Sequence, residues 1–122
     1  MLTARENLGV SLRLAGRREA DRVVDRFLAA LGLRDRGDVR ASLLSGGEQQ
    51  RAAIASAAAR DAPLVLADEP TAEVDERNEQ LVLQALLSLR ETVGSTVVVV
   101  THSLRVAEAA DRVLELRDGR IV

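Results

Sequence analysis

No lysine occurs in the 122 residues; all 17 basic side chains are arginine. That excludes a phosphate-binding loop of the form G-x-x-x-x-G-K-[ST], which needs a lysine. Cysteine is also absent, which excludes disulfides and thiolate zinc sites and fits a reducing cytosol. One Phe is the only aromatic residue, so the core must be built from Leu, Val, Ile and Ala. The same shortage leaves no platform for stacking nucleobases, and no nucleic-acid partner is expected. No apolar run exceeds about six residues, against the ~20 that span a bilayer. The start, MLTARENLGV, lacks the basic stretch and apolar core of a secretory leader. These absences predict a soluble, intracellular protein. The net charge of −2 is unevenly spread: residues 1–44 hold nine Arg against six acids, and residues 45–122 eight against thirteen. So small an asymmetry marks a solvated surface rather than a polyanion site.

What is present suits one domain with an ordinary core, hydrophobic residues making up 47% of the chain. Thr3 and Glu6 form a capping-box pattern that predicts a helix closed near Gly16. Leu8, Val10, Leu12 and Leu14 alternate as a strand would, so both readings stay open there. Ala20, Val23, Val24, Phe27, Leu28 and Leu31 fall at helical spacing, with Gly32 as the stop. Residues 33–44 read as a loop.

The pattern changes at Ser45. SGGEQQRAAIASAAAR is rich in helix formers and predicts a helix over about 47–60. LVLA (64–67) suits a short buried strand, residues 75–91 a helix, and TVVVVT (96–101) a second strand. Strand, helix and strand in succession make a βαβ unit with parallel strands. A short helix over 104–110 and a hairpin turning at Asp118-Gly119 complete the chain.

In open α/β sheets ligands collect at the carboxyl ends of strands. Asp68 and Glu69 end the first strand, and His102 follows the second. Neighbouring strand residues face opposite ways, so the two carboxylates are expected to divide the work. One would hold Mg²⁺ and the other would face an attacking water. Taken alone, Asp68-Glu69-Pro70 equally fits a strand leaving for solvent, and His102 a surface residue. LSGGEQQR (44–51) also has two readings. Ser45 and Glu48 form an S-x-x-E capping box, which explains those two residues. Gly46 and Gly47 weaken a helix by about 0.8–1 kcal/mol each relative to Ala. Open backbone N–H groups receiving an anion would account for them as well.

Taken together these segments resemble the nucleotide-binding domain of ATP-binding cassette (ABC) transporters. LSGGEQQR (44–51) resembles the family's signature motif and LVLADEP (64–70) its Walker B segment. Ala72-Glu73-Val74-Asp75 resembles the D-loop, and Val100-Thr101-His102 the switch-histidine segment. The wording ADEPT and LSGGEQQR is most similar to exporters of the lipoprotein-release and macrolide type. The resemblance implies an α/β fold, part of the P-loop NTPase type. Residues 1–60 would be the helical subdomain ending in the signature helix, and residues 61–122 the C-terminal part of the ATPase core. That core would be a parallel βαβ unit with a closing hairpin.

The same resemblance implies ATP and Mg²⁺ as cofactors and assigns roles. Asp68 would hold Mg²⁺, Glu69 would be the catalytic carboxylate, and His102 would contact the γ-phosphate. Ser45, Gly46 and Gly47, with Glu48 beside them, would meet ATP held by a second cassette in a head-to-tail dimer. Asp75 would help couple the two sites. Transmembrane permease subunits would be the other partners, placing the protein in the cytoplasm on the inner face of the cell membrane.

Three positions depart from the family's commonest wording: Glu48 for Gln, Ser56 for Arg and Val74 for Leu. None removes a group that hydrolysis needs. The larger departure is the missing Walker A, with the adenine-stacking aromatic residue and the glutamine loop. The chain therefore reads as the second half of a cassette, expected to be inactive or very weak as an ATPase by itself. The alternative is a non-catalytic remnant or regulatory module that pairs with an intact cassette.

Overall fold

The computed structural model describes residues 1–17 and 20–122. Thr3 opens helix α1 (Ala4–Leu14), its Oγ1 accepting from the Glu6 amide at 3.1 Å. Glu6 returns the bond, its carboxylate accepting from the Thr3 amide at 2.8 Å. The reciprocal cap settles residues 8–14 as helix. Leu8 and Leu12, four apart, are buried, whereas Leu14 is exposed. A strand would have put all three on one face.

Helix α2 (Ala20–Ala30) buries Val24 and Leu28, and the chain then turns at Gly32 in the left-handed region, φ 68°. Residues 33–44, expected as a plain loop, hold two 3₁₀ turns, Arg34–Arg36 and Ala41–Leu43. Apolar Leu33 and Leu44 pull this segment into the core. Its carbonyls also meet the open N–H groups of the α1 start: Ala4 donates to Val39 at 3.1 Å, and Arg5 to Gly37 at 2.8 Å.

Helix α3 (Gly46–Ala59) packs between α1 and α4 (Glu76–Ser88). Ile54, Ala55, Ala58 and Ala59 join Leu8, Leu12, Val82, Ala85 and Leu86 in one continuous hydrophobic cluster. Alanines on α3 let these helices approach closely, which suits a core with almost no aromatic volume.

Strands β1 (Leu64–Asp68) and β2 (Thr96–Val100) pair in parallel, Leu64 opposite Thr96 and Asp68 opposite Val100. Val65, Ala67, Val97 and Val99 face the helices, while Leu64, Leu66, Val98 and Val100 lie on the open face. Between the strands, α4 runs into a π-helical turn (Leu89–Val93) and stops at Gly94, φ 76°. Helix α5 (Leu104–Glu108) is shorter than the expected 104–110. Strands β3 (Leu116–Arg117) and β4 (Arg120–Ile121) form the closing hairpin. Asp118 and Gly119 both take positive φ there, as a tight hairpin turn requires. No helix among the described residues is long and apolar enough to cross a membrane.

Candidate functional site

β1 ends at Asp68, but its ladder with β2 reaches one residue further, the Glu69 amide donating to the Val100 carbonyl at 2.8 Å. Glu69 then takes φ 44°, in the left-handed region, where a side chain with a Cβ is strained. The chain folds back at once: the Ala72 amide donates to the Glu69 carbonyl at 3.0 Å, and Pro70 and Thr71 are buried. A strand that merely left for solvent would need neither the strain nor the buried turn.

This turn delivers the Glu69 carboxylate to the end of β2. His102 Nε2 lies 3.2 Å from Glu69 Oε1, and the His102 amide donates to Oε2 at 3.4 Å. The imidazole is otherwise almost fully exposed, its side chain 99% accessible, so packing does not explain its position. The His102 amide donates to the carboxylate and the imidazole stands beside it at the strand rim, with part of the carboxylate's surface left to solvent. Asp68 lies on the open face of the sheet, following Leu64 and Leu66, as strand alternation predicts. It makes no hydrogen bond to a described residue. No cluster of three metal-ligating side chains occurs among the described residues. A single free carboxylate is the donor set that suits Mg²⁺, which keeps its waters and takes its other ligands from phosphates.

The start of α3 is the second part. Ser45 Oγ accepts from the Glu48 amide at 3.2 Å, and Glu48 Oε2 accepts from the Ser45 amide at 3.1 Å. Arg36 also reaches that carboxylate, at 3.4 Å. Glu48 is thus turned back to the cap. The cap uses only an acceptor position of Ser45, leaving its hydroxyl proton to donate elsewhere.

The two glycines differ. A Cβ on Gly47 would stand 2.5 Å from Asn78 Oδ1, so close packing against α4 already requires glycine there. A Cβ on Gly46 would meet only Val74, at 3.8 Å, which is ordinary contact. Packing therefore accounts for Gly47 and does not account for Gly46. Gly46, Gln49 and Gln50 face Ala72, Glu73 and Val74 across an open cleft of 360 Å³.

Asp75 caps α4, accepting from the backbone and side-chain amides of Asn78 at 2.8 and 2.9 Å. The backbone donor, and then the side-chain donor, hold its carboxyl below the usual aspartate range. Asn78 is a residue that sequence reasoning missed, although the spacing Asp75-x-x-Asn78 is that of an N-cap. Arg51 is another: it is buried, and its Nη1 donates to Asn78 Oδ1 at 3.1 Å. The structure thus brings Glu69 to His102, and the α3 start to Ala72, Glu73, Val74 and Asn78. No hydrogen bond or ion pair joins Ser45, Gly46 or Gly47 to Asp68, Glu69 or His102.

A family model described as ABC transporter matches residues 1–72, more than half of the chain. The chain belongs to the ABC transporter family. Among curated ABC proteins it is 44% identical to the macrolide export ATP-binding/permease protein MacB of Bradyrhizobium diazoefficiens. That match covers 99% of this chain and 19% of the relative. The MacB protein of Brucella melitensis is 45% identical over 98% of the chain and 19% of its own length. Among solved structures, a dimeric ATP-binding cassette in a post-hydrolysis state with ADP and Pi superposes with a TM-score of 0.84 at 37% identity. This match covers 99% of the chain and 55% of that cassette. A dimeric structure described as a bacterial ABC transporter cassette gives a TM-score of 0.80, again at 37% identity, over 99% of this chain and 55% of that one. The chain has a partial ABC ATPase fold and spans a minor part of its curated relatives' length. The resemblance to macrolide exporters agrees with these matches.

Proposed function

We propose that the chain supplies the water-activating side of an ABC ATPase that drives transport across a membrane. The observation that carries this is the Glu69 carboxylate, placed by a strained turn at the end of β1, with His102 Nε2 3.2 Å away and the His102 amide donating to it. Glu69 would accept the proton of the attacking water, with the His102 amide's hydrogen bond helping to aim the carboxylate. His102 would turn toward the γ-phosphate, for which its full exposure leaves room. Asp68, free at the strand end, would hold Mg²⁺; the ion's part is to neutralise charge developing on the phosphates.

On the second face, Ser45 would donate its hydroxyl and Gly46 its backbone N–H to the γ-phosphate of ATP on another cassette. Gly47 would add its amide, and Glu48 would serve by holding the cap in shape. Asp75 would couple this face to the hydrolytic one. The partners are a second cassette, in head-to-tail arrangement, and transmembrane permease subunits. That assembly would sit on the cytoplasmic face of the membrane. The division into a helical part, residues 1–60, and an ATPase-core part, residues 61–122, follows the same reading.

With no lysine to cradle the phosphates, the chain alone should bind Mg-ATP poorly and hydrolyse it slowly or not at all. Titration with a fluorescent ATP analogue tests this, and micromolar affinity would contradict it. A second reading rests on Gly46, whose open position needs no catalysis by this chain. Pairing with an intact cassette through that face would make the chain a regulator. Adding it stoichiometrically to such a cassette should then change the ATPase rate, and an unchanged rate removes the reading.

A further inference from the structure

Arg51 lies on α3 one turn beyond Gly47, only 6% exposed, with its Nε lacking any partner among the described residues. Burial lowers its pKa, and Glu48 offsets this only in part. An arginine buried without a carboxylate against it is costly, and an apolar residue of similar volume would pack there more cheaply. Its one side-chain hydrogen bond among the described residues, to Asn78 Oδ1, fixes which way that amide faces. With the oxygen turned to Arg51, Asn78 Nδ2 points at Asp75 Oδ1, 2.9 Å away. The same oxygen occupies the space where a side chain on Gly47 would begin. One amide thus touches the signature helix with its oxygen and the D-loop aspartate with its nitrogen.

We propose that Arg51 and Asn78 are positioning residues that lock the Ser45–Gly47 helix start and the Asp75 turn into one rigid unit. The two walls of the Gly46–Val74 cleft then meet a partner's nucleotide together rather than independently. This rests on the reading of Ser45–Gly47 as a nucleotide-facing surface. The lock itself is a property of this chain and can be measured without a partner.

Two measurements test it, both on the 122-residue chain. The first is the NMR titration of the Asp75 carboxyl with the Asn78 side-chain amide signals. Arg51→Met, which keeps an unbranched stem but removes the guanidinium, should release the Asn78 oxygen and move the Asp75 titration up toward the ordinary aspartate range. Lost packing alone would lower Tm without moving that titration, so an unchanged titration in a folded Arg51→Met overturns the lock. The second measurement is association with the cassette of the Bradyrhizobium diazoefficiens macrolide export protein loaded with Mg-ATP. Arg51→Met and Asn78→Ala should weaken it about tenfold or more, the scale of one lost charge-assisted hydrogen bond.

Asn78→Asp separates the two halves of the lock. It keeps, and charges, the acceptor for Arg51, so the fold should hold; it removes the donor to Asp75 and sets a like charge there. Weakened association with Tm retained supports the proposal, and association equal to wild type overturns it. Should the wild-type chain not associate at all, the nucleotide-facing reading fails, and the Asp75 titration alone decides the lock.

Discussion

His102 Nε2 stands 3.2 Å from Glu69 Oε1 while the rest of the imidazole is open to solvent. An exposed ring contributes little packing, so a role for His102 in the proposed hydrolysis should be separable from stability. His102→Ala should therefore change unfolding free energy by less than about 0.5 kcal/mol, measured by denaturant titration. In an assembly that supplies the phosphate cradle, the same change should lower turnover about 10²-fold or more. A large stability loss with unchanged turnover would reverse the assignment.

Glu69 carries its carboxylate at φ 44°, a position that glycine occupies without strain. Glu69→Gly should hold or raise stability, by up to ~1 kcal/mol, while removing the carboxylate proposed to act on water. At an unstrained strand end the same substitution would destabilise by about 0.5–1 kcal/mol. Thermal unfolding of the two chains gives the sign directly.

The signature glycines should separate under identical substitution. Gly47→Ala drives a methyl into Asn78, whose nearest atom is 2.5 Å from the new Cβ, and should cost about 1–3 kcal/mol. Gly46→Ala meets nothing closer than 3.8 Å and should leave the fold intact. Any loss of ATP-dependent pairing in Gly46→Ala would then report the approach of the ligand. Equal stability losses at both positions would remove the distinction.

Asp75 links acidity to the fold. Its carboxyl is held low mainly by the Asn78 backbone amide and next by the Asn78 side chain. A folded pKa below the unfolded one gives stability that is complete above the unfolded value, about 3.9. It is lost as pH falls through the folded pKa. Asn78→Ala removes one of the two donors, so the Asp75 titration should rise and the acid-side decline of Tm should flatten. An Asp75 titration indifferent to this change would show that the backbone amide alone sets it.

Much of the scaffold was legible locally. Thr3 with Glu6, and Ser45 with Glu48, are contacts across three residues, so spacing alone announced both helix starts, and both caps formed. A short apolar run marked the first strand and a β-branched run the second, and they pair in the expected parallel sense. Residues 33–44 were harder. Their 3₁₀ turns answer to Leu33 and Leu44 entering a core and to the open amides of α1, and neither demand appears in the segment itself. The glycine pair was half legible: two glycines at a helix start suggested one anion site, but only the neighbouring helix shows that Gly47 is occupied with packing.

The sequence by itself determined the order of elements, the two capped helix starts, the carboxylates at the end of β1 and the absence of a phosphate-binding lysine. These depend on residue type and on spacings within a helical turn or a strand. Tertiary structure alone decided that Glu69 turns back to meet His102, 33 positions away, and that Asn78 joins Arg51, 27 positions away, to Asp75. Such contacts depend on how helices and strands pack after they form. The same side chains at the same spacings could have been left apart.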